Sequence, residues 1–232
     1  MKSLQNKYII VTIKSWNIEA ARKLTHRYPG AKIMLVTHKK DLVYSRISKF
    51  NPKYIFFPHW SWIIPKKIYT NFECVVFHMT DLPFGRGGSP LQNLIVRGIT
   101  KTKIAALKVI KRLDAGPIYI KKNLSLHDSA GDIYKRISRI IFGNMIPYII
   151  KNKPIPVPQK GSPVVFKRRK PEQSKIPHNI DLEGIYDYIR MLDAEGYPPA
   201  FHEIQNLRFE FRGALKKGNR YVDAKIHIRR KR

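Results

Sequence analysis

The fold is decided by residues 8–59, which read YIIVTIKSWNIEAARKLTHRYPGAKIMLVTHKKDLVYSRISKFNPKYIFFPH. Short runs rich in β-branched and aromatic residues alternate there with segments whose apolar residues recur at helical spacing. The runs YIIVTI, KIMLVT and YIFFPH are predicted strands, and the segments at 15–30 and 40–50 are predicted helices. Such alternation is typical of a parallel sheet with helices on both faces.

The alternation continues towards the middle of the chain. Periodicity predicts strands at 74–79, 103–113 and 117–126, and helices at 90–98 and 129–152. We therefore predict an α/β fold, with a Rossmann-like, mostly parallel sheet.

The composition changes at about residue 153, where PIPVPQKGSPVVFKRRKPEQS is rich in Pro, Lys and Arg and predicts an extended linker. Beyond it, 181–192 is a predicted helix. The stretch 207–230 alternates around a Lys-Gly-Asn turn and predicts two or three strands. The predicted organisation is a main domain at 1–152, a linker at 153–176 and a small C-terminal α+β unit at 177–232.

The chain is strongly basic, with 45 Lys and Arg against 16 Asp and Glu and a formal net charge of +29. Such a field attracts polyanions. The basic patches are scattered, and no aromatic-rich nucleic-acid motif accompanies them. Nucleic acid, an anionic small substrate such as a sugar nucleotide or folate, and the amino-acid usage of an AT-rich genome all remain open explanations.

Two further features restrict the class of protein. No apolar run approaches the roughly 18 residues that span a bilayer, and the start of the chain does not resemble a signal peptide, so no membrane and a cytoplasmic location are expected. Cys74 is the single cysteine, so one chain forms no disulfide and no cysteine-based zinc site. No metal is expected.

The chemistry is indicated at the end of the fourth predicted strand. There His78 leads into TDLPFGRGGSP, a polar, glycine-rich loop. In open α/β sheets ligands bind beyond the carboxyl ends of the strands, and imidazole can move protons near neutral pH. His78 is therefore a candidate functional residue.

The stretch from His78 to Asp114 resembles the folate-dependent formyltransferase family, which includes methionyl-tRNA, glycinamide ribonucleotide and amino-sugar formyltransferases. The residues of this stretch follow the order and spacing of the family's His-x-x-Leu-Leu-Pro-x-x-x-Gly segment and its later Asp-x-Gly. The matching residues are His78, Leu82-Pro83, Arg86-Gly87, Pro90, Gln92 and Asp114-Ala115-Gly116. IRMLDAEGYPPAF and LRFEFRGA are similar to the start of the family's C-terminal domain, so the resemblance covers residues 54 to 213 approximately.

The resemblance implies transfer of a formyl group from N10-formyltetrahydrofolate to an amine, with His78 and Asp114 as catalytic residues. An imidazole can donate to the negative charge that develops on the formyl oxygen, or take the amine proton. A carboxylate holds the ring in the right tautomer.

The resemblance also implies two binding regions. The pterin ring is expected between the WSWII segment and the loop that contains Asp114, against Trp60, Trp62, Ile63, Ile64, Arg112, Leu113 and Asp114. The acceptor is expected at the glycine-rich loop, where glycines let the backbone bend closely round a ligand. Its predicted contacts are Asp81, Pro83, Gly85, Arg86, Gly87 and Gly88.

One position departs from the family pattern. The family has an Asn two residues before the histidine, and here that residue is Val76. We consider His59 and Asn93 as sources of the missing hydrogen bond. A non-catalytic folate- or sugar-binding relative is the alternative to an enzyme.

The favoured acceptor is a nucleotide-linked amino sugar, a precursor of a surface or flagellar glycan. Methionyl-tRNA is the less favoured acceptor, and another small amine is a third. The N-terminal segment lacks the Gly-Thr-Pro-x-Phe-Ala opening of the tRNA enzymes, the stretch before His78 is too short for their insertion, and the C-terminal unit is abbreviated. That unit is interpreted either as a cover over the sugar site or as a homodimer interface.

Overall fold

The computed structural model describes residues 6–231. Its strands are β1 (Asn6–Val11), β2 (Ala31–Val36), β3 (Tyr54–Phe57), β4 (Cys74–His78), β5 (Arg86–Gly87), β6 (Lys101–Lys108), β7 (Ile118–Ser125), β8 (Val165–Phe166), β9 (Ala200–Ile204), β10 (Leu207–Lys217) and β11 (Tyr221–Arg230). Its α-helices are α1 (Ser15–Arg27), α2 (Tyr44–Phe50), α3 (Lys66–Tyr69), α4 (Pro90–Ile95), α5 (Ala130–Ile140), α6 (Ile146–Asn152) and α7 (Leu182–Arg190). Short 3-10 turns lie at Lys39–Asp41 and Pro171–Ser174, and a π-helical turn lies at Ile141–Met145.

Six strands form the main sheet in the order β2-β1-β3-β4-β6-β7. The first four run parallel to their neighbours, whereas β6 is antiparallel to β4. The predicted α/β fold with a mostly parallel sheet is confirmed. Because β1, β3 and β4 are parallel, their carboxyl ends meet at one edge of the sheet, and His78 lies at that edge.

The centre of this sheet is fully buried. Tyr8–Val11 of β1 and all of β3 are closed to solvent, as continuous apolar runs in parallel sheets usually are. Burying one such large apolar side chain stabilises the fold by about 1.5–3 kcal/mol. The sheet therefore gives the site a rigid base. The core cluster there comprises Ile9, Val11, Val36, Ile47, Ile55, Phe57, Ile64, Ile68 and Cys74.

The predicted strand at 103–113 is shorter in the structure and ends at Lys108. Val109 still donates its backbone N–H to the Cys74 carbonyl at 2.9 Å, after which the chain leaves the sheet. The backbone N–H of Lys108 donates to the Pro117 carbonyl at 2.9 Å and closes a loop over residues 109–117. This loop carries Asp114.

The predicted helix at 129–152 consists of α5, the π-helical turn and α6. Pro147 lacks a backbone N–H, so it cannot donate to the Gly143 carbonyl four residues earlier. Irregular turns of this kind are one way in which a helix accommodates a missing bond.

Two compact units make up the described residues, and each is built from separate segments. The first contains residues up to Arg86, Lys103–Asn123 and Lys135–Val164, and the second contains Gly87–Thr102, Leu124–Tyr134 and the residues from Val165 onward. The predicted boundaries at 152 and 176 stay a prediction. Across residues 6–231, no helix combines the length and apolar character needed to cross a membrane.

The second unit contains a three-stranded antiparallel sheet in the order β11-β10-β9. The stretch at 207–230 supplies two of its strands, which turn at Gly218 with a φ of 61°. The third strand, β9, comes from a segment without a predicted strand. Short strands between turn residues give a weak alternation signal.

Candidate active site

His78 is the last residue of β4 and is only 8% exposed. Its Nε2–H donates to the Gly85 carbonyl at 2.7 Å, since a carbonyl can only accept. Its Nδ1 lies 3.6 Å from Oδ2 of Asp114. Both ring nitrogens therefore face oxygen atoms of the protein. The imidazole is fixed between a loop carbonyl and a carboxylate.

Asp114 reaches His78 from the loop at 109–117. Its φ of 50° lies in the left-handed region, which Asp tolerates better than most residues. Nearby, a Cβ on Gly116 would overlap the carbonyl oxygen of Lys108, so only glycine fits there. The structure thus brings the two predicted catalytic residues together, with side chains 9% and 13% exposed.

The glycine-rich loop after His78 is tied to the segment at 157–164. The backbone N–H groups of Gly85 and Arg86 both donate to the Val164 carbonyl, at 2.9 and 3.0 Å, and Val164 N–H donates to the Pro83 carbonyl at 3.2 Å. The buried Thr80 hydroxyl donates to the Gly85 carbonyl at 3.4 Å. The carbonyl that holds the His78 ring is therefore itself held in place.

Gln159 belongs to the same segment, and no role for it was predicted from the sequence. Its side-chain N–H groups donate to the backbone carbonyls of Asp114 and Gly116 at 2.8 and 2.9 Å. Its side-chain oxygen accepts from Arg86 Nε and Nη2 at 3.1 and 2.7 Å. Arg86, which is predicted to contact the formyl acceptor, is thereby linked to the loop that carries Asp114.

Asp81, another predicted acceptor contact, is paired with two lysines. Lys121 Nζ lies 2.5 Å and Lys103 Nζ 2.9 Å from its carboxylate oxygens. Burial alone would raise the pKa of the Asp81 carboxyl, but the hydrogen bonds from Lys121 and Lys103 outweigh it and lower that pKa. Asp81 is therefore a carboxylate anion that forms ion pairs with Lys103 and Lys121.

Val76 stands two residues before His78 on β4, so the two side chains share one face of the sheet. It packs against the apolar cluster of Leu82, Ala105 and Leu107. Where the family pattern has an amide, this site has apolar packing.

His59, one of the two residues considered in place of the missing Asn, follows the carboxyl end of β3 with a φ of 58°. Its ring packs edge-on against Trp16 at 5.9 Å. Burial, with a smaller contribution from Lys14, lowers the pKa of His59 to about 4, so the ring is neutral at physiological pH. A neutral imidazole can act as a hydrogen-bond donor without adding charge.

Asn93, the other residue considered, lies in α4 of the second unit. Its side-chain N–H groups donate to the carbonyls of Gly88, Ser89 and Lys167 at 3.0, 3.1 and 3.0 Å. A primary amide has two N–H donors. Both donate to backbone carbonyls of the second unit, so the Asn93 side chain stabilises the local structure of that unit.

Gly87 and Gly88, predicted at the acceptor site, are packed against the segment 166–168 of the same unit. A Cβ on Gly87, whose φ is 103°, would overlap the Phe166 carbonyl oxygen, and a Cβ on Gly88 would lie 2.5 Å from Arg168 Cβ. Glycine is required at both positions by this close backbone approach.

The predicted pterin-binding segment follows β3 and leaves apolar surface open. Trp62 is 37% and Ile63 80% exposed, whereas Ile64 is buried at 7%. Trp60 packs against Trp62 with ring centroids 4.8 Å apart. The Trp60 Nε1–H is buried and has no acceptor among residues 6–231. This combination fits a planar group with apolar faces and hydrogen-bond acceptors.

The loop at 109–117 contributes the other predicted pterin contacts. Leu113 is 61% exposed. The Arg112 carbonyl accepts from the backbone N–H of Ala115 at 3.3 Å, which closes a turn immediately around Asp114. Next to Asp114 the loop therefore offers the exposed apolar side chain of Leu113, while the Arg112 carbonyl is already hydrogen-bonded within the loop.

Cys74, the single cysteine of the chain, is buried. In the part of the chain that the structure describes, no group of three or more His, Cys, Asp or Glu is arranged to hold a metal ion. Burial, assisted by Glu73, raises the pKa of the Cys74 thiol to about 12, so it stays protonated.

The fold and the site define an α/β protein with a histidine–aspartate pair at the carboxyl edge of its sheet. Residues 171–229 match the family described as methionyl-tRNA formyltransferase, C-terminal domain. A solved structure named methionyl-tRNA formyltransferase from Clostridium thermocellum is 52% identical, covers 97% of this chain and 99% of that one, and gives a TM-score of 0.95. The chain belongs to the folate-dependent formyltransferase family.

Other similar proteins match the chain to different extents. The methionyl-tRNA formyltransferase of Bacillus thuringiensis (strain Al Hakam) is 26% identical over 176 residues, which are 72% of this chain and 55% of that protein. The chain thus spans about half the length of the curated relatives it matches. A sugar N-formyltransferase from a Shewanella species is 13% identical, with 91% of this chain and 98% of that one covered and a TM-score of 0.69, a likeness of fold alone.

Proposed function

We propose that this chain transfers a formyl group from a folate carrier to an amine, and that the amine is the α-amino group of the methionine carried by charged tRNA. The observation that carries the reaction is the His78–Asp114 pair, 3.6 Å apart and nearly closed to solvent. Membership of the formyltransferase family supports the same reaction.

The residues of the pair divide the work. When its Nε2 turns from the Gly85 carbonyl to the substrate, His78 can donate an N–H to the negative charge that develops on the formyl oxygen, or take the proton that the attacking amine releases. Asp114 faces Nδ1 and stabilises the ring when it is charged. The 3.6 Å separation is long for a hydrogen bond, and such contacts often tighten when substrate binds.

A folate group fits the residues that follow β3. When bound, it supplies the formyl carbon on N10. The exposed Trp62 and Ile63 would cover its apolar face. The buried Trp60 Nε1–H has no acceptor among the described residues, and a folate group could provide one. The exposed Leu113 lies beside Asp114 in sequence and offers a second apolar contact.

The comparisons favour methionyl-tRNA over the amino sugar that we expected from the sequence. The Clostridium thermocellum structure named methionyl-tRNA formyltransferase is matched over almost all of both chains at 52% identity. The net charge of +29 also suits a nucleic acid, whose phosphates dominate its affinity for proteins.

A nucleotide-linked amino sugar is the second candidate acceptor, and one observation favours it. The chain matches 98% of the length of the Shewanella sugar N-formyltransferase, whereas it matches 55% of the length of the Bacillus methionyl-tRNA formyltransferase. A sugar nucleotide is smaller and also anionic, and it needs fewer contacts.

The proposal is tested with purified wild-type protein, N10-formyltetrahydrofolate and methionine-charged initiator tRNA, with mass spectrometry to detect the formylated product. His78→Ala and Asp114→Asn should each lose about 100-fold to 10,000-fold in rate, as removal of an acid–base group usually does. His127→Ala, which changes an exposed histidine, is the control and should transfer normally. Unchanged rates in both site variants would reject the assignment of the pair, and folate binding without transfer to any amine would favour a binding protein.

A further inference from the structure

Gln159 lies where the chain segment after α6 passes the loop of Asp114. Val157 forms an antiparallel bridge with Ile118, with backbone hydrogen bonds of 2.8 and 2.9 Å in the two directions. In an antiparallel pair, moving two residues forward on one strand moves two residues back on the other. This register places Gln159 beside Gly116, two residues after Asp114.

The side-chain amide of Gln159 is fully used. An amide offers two N–H donors and an oxygen with two lone pairs. Both donors are taken by the backbone carbonyls of Asp114 and Gly116, and both lone pairs by the Arg86 guanidinium. Four hydrogen bonds from one half-buried side chain form a clamp between two loops.

These two loops carry the two members of the catalytic pair. On one side, Arg86 directly follows Gly85, whose carbonyl holds Nε2 of His78 at 2.7 Å. On the other side, the amide holds the carbonyl of Asp114 itself, which has the left-handed φ of 50°. A left-handed Asp persists only where its surroundings hold it.

We propose that Gln159 is a positioning residue that sets the separation of His78 and Asp114; this inference rests on the proposed function of that pair. Gln159 does not take the role of the Asn that is absent at Val76, because both of its N–H groups are occupied by backbone. It acts through the position of Asp114. A displacement of about 1 Å in such a pair can reduce a rate by about 100-fold.

The identity of the side chain is specific to this role. Gln159→Met has nearly the same shape and removes all four hydrogen bonds. Gln159→Glu keeps an acceptor for Arg86 but replaces both donors with an anion facing two carbonyl oxygens. Asn152→Leu is a matched control, because Asn152 is an exposed amide in the adjoining helix whose side chain donates to the Tyr148 carbonyl at 2.9 Å.

The first test is spectroscopic and needs no acceptor. In protein with isotope-labelled histidine, the ring resonances of His78 are identified by their loss in His78→Gln. We expect them to shift in Gln159→Met and Gln159→Glu, in the same direction as in Asp114→Asn, and to stay in place in Asn152→Leu. Resonances of His78 that stay at their wild-type positions in a folded Gln159 variant would overturn the inference. If Gln159→Met does not fold, Gln159→Glu carries the test.

The second test is kinetic. The Gln159 variants should lose about 10-fold to 100-fold in kcat while KM for folate and acceptor stays close to wild type. The double variant Gln159→Met/Asp114→Asn should be no slower than Asp114→Asn alone, because Gln159 acts through Asp114. Losses that multiply in the double variant contradict the inference. A wild-type protein that transfers no formyl group defeats the proposed function, while the spectra still decide the role of Gln159.

Discussion

At the scale of single residues, His59 shows how burial near the carboxyl edge of the sheet lowers the pKa of a histidine. Burial lowers its pKa from the usual 6.5 to about 4, and Lys14 adds to the effect. Between these two pH values the unfolded chain binds a proton at this position that the folded chain does not. Stability therefore rises with pH across this window and is lost as the pH falls from about 6.5 towards about 4.

We predict that the free energy of unfolding falls by up to about 3 kcal/mol across that window because of His59. His59→Asn, which does not titrate and tolerates the positive φ, should flatten the pH dependence. Urea unfolding at a series of pH values measures it, with His26→Asn at an exposed helical position as control. An unchanged pH slope in His59→Asn would show that other groups cause it.

His78 and Asp114 could be predicted because each belongs to a short motif whose spacing is visible in the sequence. Their distance of 3.6 Å could not, because it depends on a loop that leaves the sheet at Lys108. Gln159 gave no signal at all. Its partners Asp114 and Arg86 are 45 and 73 positions away, and an amide in a Pro- and Lys-rich stretch looks like an ordinary linker residue.

At the scale of elements, the segment after β3 presents the apolar surface that the proposed folate site requires. Trp60 and Trp62 pack together, and Ile63 is left 80% exposed. An aromatic ring that covers a planar ligand buries a large area and contributes strongly to binding.

We predict that Trp62→Ala raises the Kd for tetrahydrofolate by about 10-fold or more, because one face of the bound ring loses its cover. Calorimetric titration measures it. Ile155→Ala, which truncates an exposed side chain in the segment after α6, is the control and should bind as the wild type does. Equal affinities in the two variants would place the folate elsewhere.

Alternation of strands and helices in residues 8–59 was enough to predict the parallel strands β1, β2 and β3. The antiparallel β6 and the break between α5 and α6 were not predicted, since they depend on pairing with β4 and on the effect of Pro147. Periodicity describes which face is apolar and leaves strand direction undetermined.

At the scale of the whole molecule, the net charge of +29 is the property most relevant to the acceptor. A protein that neutralises about six phosphates loses about a thousandfold in affinity between about 50 and about 200 mM salt. A sugar nucleotide carries only a few charges, so its binding depends far less on salt.

We predict that methionyl initiator tRNA binds with such a steep salt dependence, and more tightly than an unrelated RNA of equal length. Filter binding over a range of salt concentrations measures both. Equal affinity for the two RNAs would mean that the basic surface binds RNA without selectivity, and the proposal of tRNA as acceptor would lose its support from charge.

The most direct measurement places the two acceptors side by side. Wild-type protein and N10-formyltetrahydrofolate are incubated with methionine-charged initiator tRNA or with a panel of nucleotide-linked amino sugars, and kcat/KM is determined for each by mass spectrometry. The account predicts formylation of methionyl-tRNA with the highest kcat/KM, and its loss in His78→Ala and Asp114→Asn. Formylation of an amino sugar while methionyl-tRNA stays unmodified would contradict the proposed acceptor, and transfer that survives in both variants would contradict the proposed site.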